Sequence, residues 1–264
     1  MSLLSILNPL KNLLSFLTVF PVNMDENMLT DCAKHMWAFP LIGALLGLLA
    51  GAVGWVALQF IPSLVVGAIS LALLLWLTGL HHTDGLLDFG DGIMVHGNAE
   101  KKIAVMHDQL TGAGAIGLTL MTYIVTAFAF AEFGKTIPIA GFQIPLIVPG
   151  LIIVEVCAKL SMVTVAWIGK SVHQGMNSTF LSAMHGTGGN WRLIAALIIS
   201  FGIALPLIGW SGLFVVAAAI LTGLIMTAIA HKNFNGVTGD VFGATNELTR
   251  MVCAVVLLAV ITWV

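Results

Sequence analysis

"VVGAISLALLLWLTGLHHTDGLLDFGDG", Val65 to Gly92, passes from hydrocarbon to the densest cluster of acid in the chain. No charged residue stands between Val65 and Leu80, and then Asp84, Asp88 and Asp91 follow within two helical turns. Such an apolar run suits a bilayer, where a spanning helix needs about 20 predominantly apolar residues. Similar windows recur along the chain, giving seven expected spans at 36–59, 62–80, 113–133, 145–168, 192–210, 211–231 and 244–264. The fold class expected is therefore an all-α, polytopic helical membrane protein with about seven transmembrane helices.

Composition agrees. The chain is 59% hydrophobic and only 8% charged, against roughly 45–50% apolar residues in a soluble domain, and its mean hydropathy is +1.04. The segment "LLSILNPLKNLLSFLTVFP", Leu3 to Pro21, is too interrupted to cross; with its lone Lys11 it reads as an interfacial helix. It lacks the basic start and cleavage site of a signal peptide. The short break around Gly209–Gly212 allows either two helices or one bent helix. No repeat or hydrophilic insertion divides the sequence, so 1–264 is expected to be a single integral-membrane domain. Cys32, Cys157 and Cys253 fall singly and imply neither a disulfide framework nor a zinc site. No basic stripe suggests nucleic acid.

Seven spans place the N-terminal segment and loops 81–112, 169–191 and 232–243 on one side. That side carries Lys11, Lys34, Lys101, Lys102, Lys170, Arg192 and Lys232, and the other only Lys135. The bias predicts that the first side is cytoplasmic. Nearly all the acids and histidines share it, so the chemistry is expected there.

Asp84, Asp88 and Asp91 are spaced i, i+4 and i+7, which puts three carboxylates on one face of a helix. Close carboxylates repel unless a cation sits among them. Hard oxygen donors suit Mg²⁺, with Mn²⁺ the alternative, better than zinc. Gly85, Gly90 and Gly92 remove side chains where a phosphate ester or a neighbouring helix must approach. A solvated loop is the plainer alternative, but acids near membrane depth usually serve function.

"TGLHHTDGLLDFGDG" resembles the signature G-x-H-x-D-G-L-x-D-x-x-D-G of the cobalamin synthase (adenosylcobinamide-GDP ribazoletransferase) family, with His82, Asp84, Gly85, Leu86, Asp88, Asp91 and Gly92 in place. A second family block is matched by "MHDQLTGAGAIG" at Met106, Asp108 and Gly112, and a third by "NGVTGDVFGATNE", Asn235 to Glu247. His107 and Leu110 replace a lysine and an arginine, so Lys101 or Lys102 is expected to supply a phosphate contact instead. "HQGMNSTF" matches a further family segment at Gly175, Met176 and Phe180.

The resemblance implies transfer of the phosphocobinamide moiety of adenosylcobinamide-GDP to α-ribazole or its 5′-phosphate, with release of GMP, in the plasma membrane of a prokaryote. It implies Asp84, Asp88, Asp91 and Asp108 as metal ligands, with His82, Asp91 and Asp108 catalytic and Asp91 or Asp108 the base. Lys101, Lys102, Lys159, Gly175, Asn235, Thr238, Gly239, Asp240 and Glu247 are the expected substrate contacts. Thr238 or Asp240 could equally be a helix cap, and Glu155 and Lys159, at i, i+4, a buried structural pair. The other histidines read as surface groups. Partners are those two substrates and the bilayer, and a homo-oligomer is allowed. Other readings are an intramembrane Mg²⁺-dependent prenyltransferase, a CDP-alcohol phosphotransferase-like enzyme, or a divalent-cation transporter, which would place acids at mid-bilayer on several helices.

Overall fold

The computed structural model describes residues 3–20, 28–139 and 142–261. It is a helical bundle, α1 (Leu3–Leu17), α2 (Met28–Lys34), α3 (Phe39–Ala57), α4 (Ser63–Leu77), α5 (His81–Met94), α6 (Ala99–Met106), α7 (Ala113–Glu132), α8 (Ile147–Ile168), α9 (Met176–His185), α10 (Gly189–Ile208), α11 (Ser211–Phe234) and α12 (Gly239–Ile261). Six helices, α3 (with the 3₁₀ turn Met36–Ala38 before it), α7, α8, α10, α11 and α12, are long and apolar enough to cross a membrane. The protein is multi-pass.

The expected second span differs. The helix from Ser63 ends at Leu77, 15 residues long, or about 22 Å at 1.5 Å per residue, short of the hydrocarbon core. The chain then bends by 96° into α5, so that α4 and α5 are long and apolar enough to cross only if taken together, as a broken span or a re-entrant turn. The connection 81–112, a loop by the span count, contains two helices, α5 and α6, the first being the helix that the aspartate spacing predicts. The break at Gly209 does separate two helices: Gly209 is left-handed (φ +59°), and Gly212 packs back on Ala204. A small antiparallel hairpin, Thr136–Ile139 paired with Phe142–Pro145, joins α7 to α8. The last residues of the seventh expected span, 262–264, and Pro21 of the N-terminal segment lie outside the described residues.

α8 is the central post, buried on nearly all sides, whereas α7 and α10 turn much of their surface outward. α3 runs antiparallel to α8 at backbone distance. Side chains added at Gly43 or Gly47 would collide with the carbonyls of Glu155 or Leu151, and one at Gly51 would stand 2.9 Å from the Val148 Cα. Small residues at i, i+4, i+8 are what membrane helices use to approach so closely. Ile116, Leu120, Ile124 and Phe128 on α7 are exposed, as lipid-facing residues should be.

The positively charged loops do gather at one end. Arg192 Nε donates to the Lys34 carbonyl at 2.8 Å, and the Lys170 N–H to His231 Nε2 at 3.1 Å. Lys135 pairs with Glu132 at the far end, beside the hairpin.

Candidate active site

The site begins at the bend. Gly79 (φ +62°) and Leu80 (φ 61°) are successive left-handed residues that end α4 and swing the chain sideways. This conformation costs a non-glycine residue about 1–2 kcal/mol, so the packing of α5 must hold it. That packing relies on glycine. A Cβ at Gly85 would meet the Asp240 carbonyl at 2.9 Å, and one at Gly90 the Gly114 carbonyl at 2.8 Å. The glycines expected to admit a neighbouring helix thus bring α5 against α12 and α7.

α5 descends α7 from Tyr123, whose hydroxyl lies 2.7 Å from Thr83 Oγ1, to the α7 N-terminus at Asp91. Both oxygens of Asp91 are engaged there. Oδ2 accepts the Gly112 N–H at 2.6 Å and Oδ1 the Ala115 N–H at 2.8 Å, which satisfies donors that a helix start otherwise leaves open.

Asp84 and Asp88 are different. Among the described residues their carboxylates accept no hydrogen bond, and Asp88 is repelled by Asp240, Asp84 and Asp91. Asp240, from the first turn of α12, accepts from Thr238 Oγ1 at 3.2 Å. The acid cluster therefore joins Asp84 and Asp88 to Asp240. Asp108 stands exposed and accepts the Leu110 N–H in its own loop at 3.3 Å. The basic group acting on both Asp88 and Asp240 is His107, whose ring meets that of His173 at 6.2 Å. The His173 loop is stitched to the third block: the Val237 N–H donates to the Lys170 carbonyl at 2.7 Å, and Asn177 Nδ2 to the Val237 carbonyl at 2.8 Å.

Behind the cluster lies a ring of buried charge. Arg250 Nε donates to Glu155 Oε1 at 2.5 Å, and Arg250 also pairs with Glu247. Asn246 donates to Glu247 at 3.0 Å and accepts from Lys159 Nζ at 2.6 Å. Lys159 closes the ring 3.8 Å from Glu155. Two acids and two bases cancel, which is what lets them stay within the membrane. Glu155 and Lys159 are thus not a simple pair: Arg250, absent from the sequence reading, takes most of the Glu155 charge. It was findable as a lone cation in an apolar helix, three residues after Glu247. Glu247 and Arg250 lie at depth beside Glu155 and Lys159.

A cavity of about 620 Å³ opens onto this face, lined by His81, His82, Asp84, Asn177 and Asp240 on its polar side. The remaining expected residues are distributed as follows. Lys102 Nζ is held by Asn233 at 2.6 Å, and Lys101 folds against Gly97. Gly175 precedes α9, its N–H donating to Ser178 Oγ at 3.0 Å. Asn235 ends α11 in a left-handed conformation (φ 60°). Thr238 Oγ1 accepts the Val241 N–H at 3.4 Å as the cap of α12, which Gly239 begins. Lys159 and Glu247 belong to the buried ring.

As placed, no three His, Cys, Asp or Glu side chains among the described residues form a coordination shell. The donor chemistry nonetheless fits Mg²⁺. That ion uses one or two carboxylates and completes its shell with water and substrate phosphate, and Asp84 and Asp88 are hard donors held side by side without other partners.

Residues 9–258 match the family described as cobalamin-5-phosphate synthase. Among similar proteins is an adenosylcobinamide-GDP ribazoletransferase of Methanocella arvoryzae, 34% identical over 97% of this chain and 97% of its own. Proteins of the same name from Methanosarcina barkeri and Halorubrum lacusprofundi are 32% and 31% identical, over 93% and 98% of this chain and 89% and 98% of theirs. No solved structure matches the chain.

Proposed function

The chain belongs to the cobalamin-5-phosphate synthase family, and on that premise we propose that it transfers the phosphocobinamide moiety of adenosylcobinamide-GDP to α-ribazole or its 5′-phosphate. A ribose hydroxyl attacks the cobinamide-side phosphorus, the P–O bond to GMP breaks, and the hydroxyl proton leaves to a base. One observation carries this reading: Asp84 from the first block and Asp240 from the third line one cavity, and Asp88, one helical turn from Asp84, feels the charge of both.

Asp84 and Asp88, with Asp240 beside them, would hold Mg²⁺, which when bound neutralises diphosphate charge. The protein's own groups do the rest. Asp91 fixes the start of α7, and with it the second block. His107 and His173 offer N–H donors to the diphosphate where Lys101 and Lys102 are turned elsewhere. The ring around Arg250 holds α8 and α12 in register behind the acids. The loop end faces the cytoplasm in this proposal, because charge bias and the polarity of both substrates require the same side.

The test is GMP release from adenosylcobinamide-GDP by the purified protein with Mg²⁺, dependent on added α-ribazole. Metal flux into liposomes without GMP release would instead favour a transporter.

A further inference from the structure

The cavity has two chemistries. Its outer wall is aromatic: Phe16 of α1 and Phe39 of α3 both pack on Phe180 of α9, with ring centroids 5.2 and 6.0 Å apart. Phe242 and Met162 continue that wall from α12 and α8. The opposite side is polar and ends at the acid cluster. On it His81, His82, Asp84 and Asp240 line the cavity. A ligand carrying a hydroxyl group beside a flat apolar ring would satisfy both sides at once.

Size and polarity together separate the two substrates. A cavity of about 620 Å³ lies within the range of small-molecule sites, roughly 300–1,000 Å³. It suits a nucleoside with one fused aromatic base. The donor's corrinoid is several times larger and stays outside, and its guanine, though similar in size to the acceptor base, would bring polar edges to the apolar wall of Phe16, Phe39, Met162, Phe180 and Phe242.

We infer that this cavity seats the acceptor, base first, with the aromatic base against Phe16, Phe39, Phe180 and Phe242 and a ribose hydroxyl facing Asp84 and Asp240. The inference rests on the transferase reading above. It places the donor diphosphate at the mouth, beneath His107 and His173, so the two substrates approach the carboxylates from opposite sides. Aromatic side chains prefer ring partners in offset or edge-on contact; Phe39 meets Phe180 edge-on, and Phe16 meets it tilted.

The test uses Met176, 61% exposed at the cavity rim, as a reporter. The three native cysteines are buried, so Met176→Cys gives one accessible thiol for maleimide labelling in the purified enzyme. We expect α-ribazole to slow labelling several-fold and adenosylcobinamide-GDP alone to slow it much less. In steady-state assays, Phe180→Leu, which keeps an apolar side chain but loses the ring, should raise the KM for α-ribazole about three- to tenfold. The KM for adenosylcobinamide-GDP should stay within about twofold. Protection by the donor alone, or by phospholipid but not α-ribazole, would overturn the assignment, as would equal changes in both KM values. Transfer without protection by α-ribazole would sink the acceptor site and leave the function standing. Protection without any GMP release would do the reverse.

Discussion

Asp91 Oδ1 accepts the backbone N–H of Ala115 at 2.8 Å, so the last aspartate of the signature clamps a different helix from its own. Its other oxygen accepts from Gly112 at 2.6 Å, and Gly112 must be glycine because a Cβ there would lie 2.6 Å from the same carboxylate. Asp91→Ala leaves two helix-start donors unmet. We expect it to lower stability by about 1–3 kcal/mol, read as a lower Tm in detergent. Asp91→Asn, which retains one acceptor oxygen, should lose less. Equal Tm values for wild type and Asp91→Ala would remove the clamp.

Asp84 and Asp88 should behave in the opposite way. Neither is tied to another group, and Asp88 is repelled by its neighbours, so Asp84→Asn and Asp88→Asn are expected not to lower Tm while costing at least about 10²-fold in activity. Chelation of divalent cations should abolish wild-type GMP release reversibly. Near-normal turnover of either variant at ordinary Mg²⁺ would remove that residue from the metal site.

Arg250 offers a test of the buried ring. Arg250→Met strands Glu155 and Glu247 without their cation and should destabilise by about 3–5 kcal/mol, because an uncompensated buried charge is left behind. Lys159→Met, which removes the more distant cation at 3.8 Å, should cost less. Thermal unfolding of both variants measures the order, and the reverse order would mean that Lys159 carries the Glu155 charge.

The contact between α3 and α8 predicts a sharp contrast between two glycines. Gly47→Leu drives a side chain into the backbone at Leu151 and should prevent assembly of the bundle. Gly117→Ala in α7 meets nothing within 4 Å and should be neutral or stabilise by up to about 1 kcal/mol through helix propensity. Yield of monodisperse protein in detergent distinguishes them.

Orientation can be read with impermeant thiol reagents. Cysteines at Asn98 or Asn235, on the charged loop end, should resist labelling in intact cells and react once the membrane is opened. A cysteine at Thr136, beside the hairpin at the far end, should react from outside. Labelling of Asn98 and Asn235 from opposite sides would break the composite site, since both loops must reach one cavity.

Much of this was legible in the sequence because bilayer physics writes itself into composition. Apolar windows located the spanning helices α3, α7, α8, α10, α11 and α12 to within a few residues, and the lysines and arginines sorted the loops to two ends. The signature spacing put Asp84 and Asp88 on one face of a helix. What the sequence could not convey was which distant groups those residues would meet. Asp91 and Asp84 look alike in a motif, yet one turns to the amides of α7 and the other to the cavity. Asp108 and Asp240 are both acids of matched blocks, but only Asp240 joins Asp84 and Asp88. Arg250, unread in the sequence, is a lone charge on an apolar helix, and only the packing of α12 on α8 makes it the partner of Glu155. Hydropathy is a property of each segment and can be read locally. Charge pairing in a low-dielectric interior depends on contacts between helices up to 95 residues apart, and only the assembled bundle decides it.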